Sequence, residues 1–494
     1  MTTNTTVNPT VNTDSATAAT TALVATETAH CAALFIAAPA SGQGKTTVTA
    51  ALARFFTKQG KKVQVFKTGP DYLDPQILAQ ASGCASAQLD LWMAGEQYCR
   101  QMLYEAAQKV DLILIEGAMG LFDGEPSSAD LAAKFSIPIA IVMDVKGMAQ
   151  TAAAVALGLA NYRSDYQCAG LIANNCGSER HAQLIREALN QQLPLLACLA
   201  KDPDVSLPER HLGLVQASEV AEELELRFEK GCAWLEQGVH RAATDDALLK
   251  LPAKVAFTAG NLDSLDKIDR ELLENSTVTS QPLAGKTIAI AKDAAFSFIY
   301  QANLDILEKL GAKLKYFSPL VDRQIPEADG LWLPGGYPEL HARQLSENHL
   351  MRAQMQRFQE QRKPILAECG GFLYCLAGLT DLDGEYFLMA NIMQGEGAMR
   401  GKRGCQGMQT AILPEGEVRG HAHHRSRSSG TKAPIGYGKR QRHPAPGEAI
   451  FREANLTASY LHLFFASNPS VIAKLFNGEL QAPNQVWLDQ WQAQ

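Results

Sequence analysis

"CAALFIAAPASGQGKTTVTAALARFFTK" (residues 31–58) passes from an apolar run through a Gly/Ser/Pro loop into an alanine-rich segment. Residues 33–38 read as a buried strand, and a helix is expected from about Thr46 to Lys58. The loop between them resembles the phosphate-binding pattern G-x-x-x-x-G-K-[ST], with Pro39 in place of the first glycine. The physical demands of that pattern survive the change. Gly42 and Gly44 let backbone N–H groups turn toward phosphates, the helix start adds its positive end, and Lys45 supplies a mobile cation. Thr46 has the hydroxyl expected to hold Mg²⁺, and Thr47 is placed to reach a phosphate. A plain glycine turn is the bland alternative, but strand, loop and helix fall in the order that nucleotide binding requires.

Working outward, "KVQVFKTGPDYLDP" (62–75) brings Lys67, Asp71 and Asp74 to the ligand end of a second parallel strand. Asp71 suits a magnesium shell and Lys67 a transferring phosphate. Asp74, just before Pro75, suits a helix cap at least as well. "DLILIEGAMGLFDG" (111–124) sets Glu116 at the tip of a third strand, for metal binding or for a buried salt bridge. A fourth strand ends at Asp144, and a fifth, in "CAGLIANNCGSERH" (168–181), ends at Asn174 and Asn175. Those amides suit an adenine edge or a turn equally. Strand tips alternating with helices describe a parallel sheet covered on both faces. "KDPDVSLPERHLGL" (201–214) reads as an ordered loop, residues 217–237 as helix, and the mixed polar region from about 240 to 284 as a domain boundary.

Bulk properties agree. A chain of 494 residues is too long for one core. Its formal net charge of -7 argues against a nucleic-acid partner. Ten cysteines without a C-x2-C pair disfavour a disulfide scaffold or a structural zinc site. No run reaches the roughly 18 apolar residues of a membrane span. The first thirty residues lack Lys and Arg, so they read as a disordered tail rather than a targeting segment, and a cytoplasmic protein is expected.

The α/β pattern restarts with a strand at 286–291, a helix at 298–310 and a strand at 313–317. "ADGLWLPGGYPEL" (328–340) adds a strand tip with Gly335 and Gly336, and "RKPILAECGGFLYCL" (362–376) adds another. Cys369 sits where that last strand meets a glycine turn and a short helix. Such an elbow holds a thiol out of the core, and helix-end N–H groups favour its thiolate. The N–H of Gly370 and that of Gly336 are candidate oxyanion donors. Cys375 reads as packed, and Cys405 has no strand before it. The candidate base is His462 in the apolar run "LTASYLHLFFASNP" (456–469), where a hydrogen-bonded core histidine is the other reading. His421, His423 and His424 form a rival cluster in "GHAHHRSRSSG" (420–430). With Arg425, Arg427, Lys432, Lys439, Arg440 and Arg442 they make a basic surface, suited to a polycarboxylate or to plain solvation.

Taken in order, "APASGQGKTT", "KTGPDYLDP", "EGAMGLFDG", "DVKGMAQT", "LIANNCGSERH", "LPERHLGL", "LPGGYPEL", "AECGGFLY" and "ASYLHLFFASNP" resemble the a,c-diamide synthases of corrinoid biosynthesis. The resemblance implies a P-loop NTPase-type domain like dethiobiotin synthetase, followed by a flavodoxin-like class I glutamine amidotransferase domain. The corresponding boundaries are a tail at 1–30, a synthetase domain at 31–240, an interdomain segment at 241–284, an amidotransferase domain at 285–480 and a tail at 481–494. It implies amidation of the a and c acetates of cobyrinic or hydrogenobyrinic acid through acyl phosphates, with Mg²⁺, one ATP and one glutamine for each. By motif, Cys369 is the nucleophile and His462 the acid/base; Gly42, Gly44, Lys45, Thr46, Thr47, Lys67, Asn174 and Asn175 meet the nucleotide. Thr46, Asp71 and Glu116 meet the metal, and Arg425 with Arg427 meets substrate carboxylates. The implied partners are ATP, L-glutamine and a corrinoid polycarboxylate, with no nucleic acid or membrane and a homodimer as the candidate assembly. A nickel-tetrapyrrole amidating relative, a larger four-amide relative and a P-loop partition ATPase are the competing readings. Two departures stand out: Phe464 takes the place where many such domains have a triad glutamate, and "GHAHHRS" replaces a "GHEFHYS"-like stretch.

Overall fold

The computed structural model describes residues 27–207, 220–243, 245–260, 281–401, 404 and 406–481. The first sheet runs Ala87–Leu89, Val63–Thr68, Leu112–Glu116, Thr28–Ala37, Ile139–Asp144, Cys168–Asn174, Leu195–Cys198, all parallel. Side chains of successive strand residues enter opposite cores: Ala33, Phe35 and Ala37 join one cluster, Ala32, Leu34 and Ile36 the other. Helices cover both faces, which is why these strands are continuously apolar rather than alternating. The helix Lys45–Lys58 packs on one face and Glu96–Ala107 on the other.

Three strands of this sheet lie outside the five expected. Ala87–Leu89 and Leu195–Cys198 are only three and four residues long. Lys254–Thr258 pairs antiparallel with Thr28–Ala32, so part of the stretch read as interdomain segment belongs to the first sheet. The first strand likewise begins at Thr28, inside the stretch read as tail, and the helix Ala221–Ala242 runs past residue 240. The expectations for residues 1–26, for "LPERHLGL" from Pro208 onward, for Cys405 and for 482–494 lie outside the described residues.

The second domain has a ten-stranded sheet. Lys313–Phe317, Thr287–Ala291, Gly330–Leu333, Ile365–Glu368 and Leu456–Ser459 are parallel neighbours. An antiparallel extension follows through Pro446–Glu453, Gly436–Arg440, Gln406–Leu413, Gly416–His423 and Leu461–Leu463. A small separate sheet joins Tyr386–Leu388, Gly378–Thr380, Glu396–Met399 and Ser426–Ser429. The basic surface at 420–442 is thus largely built from strands, and its placement is fixed by ladder hydrogen bonds rather than left to a solvated loop.

Close backbone approach fixes the elbow. A Cβ on Gly371 would lie 2.1 Å from the carbonyl oxygen of Leu333 in the neighbouring strand, leaving no side-chain motion that relieves the clash. Gly371→Ala is therefore expected to destabilise the chain by about 3 kcal/mol; an unchanged urea midpoint would contradict this packing.

Candidate active site

At the tips of the first sheet, the loop before Lys45 is held in shape by two devices. Gly44 adopts φ 91°, and a Cβ there would lie 2.3 Å from Asn174 Nδ2. That amide donates to the carbonyl of Gln43, and Asn175 Nδ2 donates to Asp144. Both asparagines therefore brace the loop and its neighbouring strand tip. Lys45 Nζ donates to the carbonyls of Ala40 and Met119 at 3.1 and 2.7 Å, bridging the phosphate loop and the segment after Glu116.

Lys67 is buried with its ammonium 2.5 Å from Glu116, 2.6 Å from Asp74 and 3.5 Å from Asp71. Burial opposes its charge, but Glu116, Asp74 and Asp71 together outweigh that and hold its pKa well above the ordinary lysine range. Burial pushes Lys45 down, and Glu116 partly offsets this. Thr46 Oγ1 donates to Glu116 and Asp74. The roles expected of the two aspartates are exchanged. Asp71 accepts from the backbone N–H groups of Leu73 and Asp74 at the helix start, while Asp74 turns its carboxylate inward to Thr46 and Lys67. The capping residue is thus two positions before the helix's N-cap, and the aspartate beside Pro75 is free for the site. Glu116 Oε2 is buried without a hydrogen-bond partner. With Thr46 and Asp74 beside it, that oxygen suits a divalent cation whose remaining ligands come from phosphates. Thr47 is half-buried at the same helix start.

At the second site, Cys369 lies between Ile365–Glu368 and the short helix Gly370–Cys375, with φ 46° and ψ -102°. Such a conformation costs roughly 1–3 kcal/mol and is held by surrounding contacts. One is the Cys369 N–H donating to Ser459 at 2.8 Å. Gly336 and Gly370 flank the thiol, and a Cβ on Gly370 would sit 3.0 Å from Gly336 N, so the two backbone segments adjoin. His462 lines the same pocket of about 230 Å³. Neither of its ring nitrogens has a hydrogen-bond partner among the described residues, and Phe464 is packed against Tyr300. Among the described residues, no carboxylate orients the ring in the manner of a triad.

The carboxyl next to the nucleophile does something else. Glu368 accepts from Trp332 Nε1 and from the N–H of Leu463, tying the strand before Cys369 to the residue after His462. Burial pushes its pKa up to about 8. The "AE" in "AECGG" was the available signal for this positioning residue, and alternation alone does not reveal it. His421, which sequence reasoning left without a role, is the cross-strand partner of His462 and stacks on it at 4.9 Å and 15°. Its Nδ1 meets Tyr300 Oη at 3.3 Å. Cross-strand pairing, rather than proximity in sequence, brings the two histidines together.

Electrostatics correct one expectation. Burial pushes the Cys369 thiol up, Glu339 adds to this, and the Gly370 backbone only partly opposes it. His462 is driven well below the ordinary histidine range by burial and then by His421. Thiol and imidazole are both neutral at rest, because desolvation outweighs the short helix's N–H groups.

Arg425 lines the thiol pocket, opposite in charge to Glu339, whereas Arg427 is exposed on the small sheet. The pair therefore does not form one carboxylate-binding surface. Tyr72 of the first domain closes the pocket: it stacks on Phe298 at 4.9 Å and 4°, and its centroid is 5.2 Å from His462.

A model of the CobQ/CobB/MinD/ParA nucleotide binding domain matches residues 34–215, and one of the CobB/CobQ-like glutamine amidotransferase domain matches 287–470. The chain is 47% identical to hydrogenobyrinate a,c-diamide synthase of Stutzerimonas stutzeri over 446 residues, 90% of this chain and 98% of that one. It is 43% identical to the enzyme of the same name from Pseudomonas aeruginosa, over 90% and 98% of the two chains. With cobyrinate a,c-diamide synthase of Herminiimonas arsenicoxydans it shares 44% identity over 91% and 97%.

Removing the Tyr72 ring should wet the pocket and relieve part of the desolvation on the thiol. Alkylation of Cys369 by iodoacetamide at pH 8, mapped by mass spectrometry, is expected to rise roughly tenfold in Tyr72→Ala. An unchanged rate would mean that Tyr72 does not seal the thiol.

Proposed function

The chain belongs to the family of hydrogenobyrinate and cobyrinate a,c-diamide synthases, and on that premise we propose that it amidates the a and c acetates of such a corrinoid acid, taking nitrogen from glutamine and energy from ATP. One observation carries the proposal: a phosphate-binding strand tip and a buried cysteine–histidine pocket meet across the single loop Thr68–Asp74. Neither site alone makes an amide from a carboxylate, because hydroxide is too poor a leaving group for ammonia to displace.

At the thiol end, Cys369 attacks the side-chain amide carbon of glutamine while its proton passes to His462. The carbonyl oxygen becomes an oxyanion toward the N–H groups of Gly336 and Gly370. His462 returns the proton to the departing nitrogen, releasing ammonia, and water later hydrolyses the glutamyl thioester to glutamate and free thiol. Glutamine carries one positive and one negative group at its α-carbon. Glu339, whose pKa burial raises to about 7, and Arg425 supply the complementary charges in this pocket.

At the other end, a macrocycle acetate oxygen attacks the γ-phosphorus of ATP and ADP departs. Ammonia then attacks the acyl carbon, and phosphate leaves. In this reading Lys45 and Lys67 meet the charge that moves along the phosphates, and Thr46, Glu116 and Asp74, which the hydrogen bonds to Thr46 and Lys67 bring together, would hold Mg²⁺. The ion, when bound, neutralises phosphate charge during transfer.

Cys369→Ala is expected to abolish glutamine-dependent amidation yet keep the ammonium-dependent reaction, with two amides added per macrocycle and one ADP for each; loss with both donors would sink the two-site reading. Arg425→Gln should raise the KM for glutamine by roughly tenfold or more, the worth of one charge-assisted hydrogen bond. A raised macrocycle KM with an unchanged glutamine KM would return Arg425 to the corrinoid.

A further inference from the structure

The two domains enclose a second cavity, of about 520 Å³, beside the thiol pocket. One wall is formed by Thr68–Pro70 and by Ala118 with Met119, the residues that follow Lys67 and Glu116 at their strand tips. Trp92 and Leu131 give it apolar surface. The facing wall is the segment Arg440–His443 of the second domain. A neighbouring cavity of about 550 Å³ is also lined by that segment.

The charges on this loop are weakly committed. Arg440 forms no ion pair among the described residues, and its buried Nε lacks a hydrogen-bond partner. Arg442 pairs with Glu125 at 3.0 Å, and both side chains are more than half exposed, at 53% and 78%. Exposed pairs of this kind contribute little, so an incoming carboxylate can displace Glu125. Gln441 Nε2 donates to the Glu125 carbonyl at 2.6 Å, which docks the loop on the first domain independently of that pair.

The sheet order separates this cavity from the side of the phosphate loop braced by Asn174 and Asn175. Thr68 and Leu89, with Ala118 just past the end of Leu112–Glu116, come from strands on one flank of Thr28–Ala37, whereas Asp144 and Asn174 belong to strands on the other. The cavity thus borders the phosphate-transfer centre from the flank away from those asparagines. Apolar walls, an Arg440 without an ion pair among the described residues, an exposed Arg442–Glu125 pair and a wall that continues the strand tips of Lys67 and Glu116 suit a broad ligand that carries several carboxylates. Building on the function proposed above, we propose that the corrinoid acid lies in this interdomain cleft, with rim carboxylates on Arg440 and Arg442 and its reacting acetate at the strand tips beside Lys67.

The test uses the full chain with ammonium chloride, ATP and hydrogenobyrinic acid, and measures initial rates at two ionic strengths. Arg440→Gln and Arg442→Gln are each expected to raise the macrocycle KM roughly tenfold or more. Both should also flatten its rise with salt. Glu125→Gln, which frees Arg442, should lower that KM by about threefold, a gain that misfolding cannot produce. Lys432→Gln, whose ammonium pairs with Glu453 away from the cavity, is the control and should shift nothing. If the wild type adds amides but neither arginine variant nor Glu125→Gln moves the macrocycle KM, the site is refuted and the function stands. If the wild type adds no amide to the macrocycle, the function fails and takes the site with it.

Discussion

The ring of Tyr72 against Phe298 is the contact on which the two-site arrangement depends. It is a short-range, desolvated stack between domains, joined by Tyr300, His421 and His462. The next residue before it, Asp71, caps the following helix, and Asp74 two residues after it meets Lys67. A tilt of this loop would therefore disturb carboxylate placement at one centre and water exclusion at the other together. Rigid aromatic packing is a stiff link, because interdigitated cores resist gradual deformation.

The two centres handle burial in opposite ways. Around Lys67, three carboxylates keep a buried charge alive, and the partnerless oxygen of Glu116 leaves room for another cation. Around Cys369, the Gly370 backbone compensates only in part, and both thiol and imidazole rest neutral. A buried neutral thiol reacts slowly with water-borne electrophiles. The departure at Phe464 belongs to the same economy of charge: an aromatic there packs against Tyr300 and Tyr98, where a carboxylate would need a partner.

The parallel sheet and the elbow were legible because each rests on local rules. Continuous apolar runs ending in Glu116 and Asp144 mark buried parallel strands, and a glycine pair after Cys369 marks a turn that a larger residue cannot make. What escaped depends on pairing across distance. The stacking of His421 on His462 follows from antiparallel register, and the clamp by Glu368 on Leu463 reaches past its ladder partner Leu456–Ser459 to the strand that follows it in the chain. The exchange of roles between Asp71 and Asp74 is a matter of three residues of loop geometry, below the resolution of spacing arguments. Strand alternation would put Arg425 and Arg427 on one face, but Arg425 lies in the bend before Ser426–Ser429 and Arg427 within that strand, and the bend sends them to different surroundings.

The strand Lys254–Thr258 returns from beyond the Ala221–Ala242 helix to pair with Thr28–Ala32. It supplies the hydrogen-bonding edge that the start of the first strand otherwise lacks. Anyone dissecting the polypeptide into autonomous halves should therefore cut after residue 260. A scission near 240 would strip the leading half of its own selvedge and leave a raw β-border inviting intermolecular stacking.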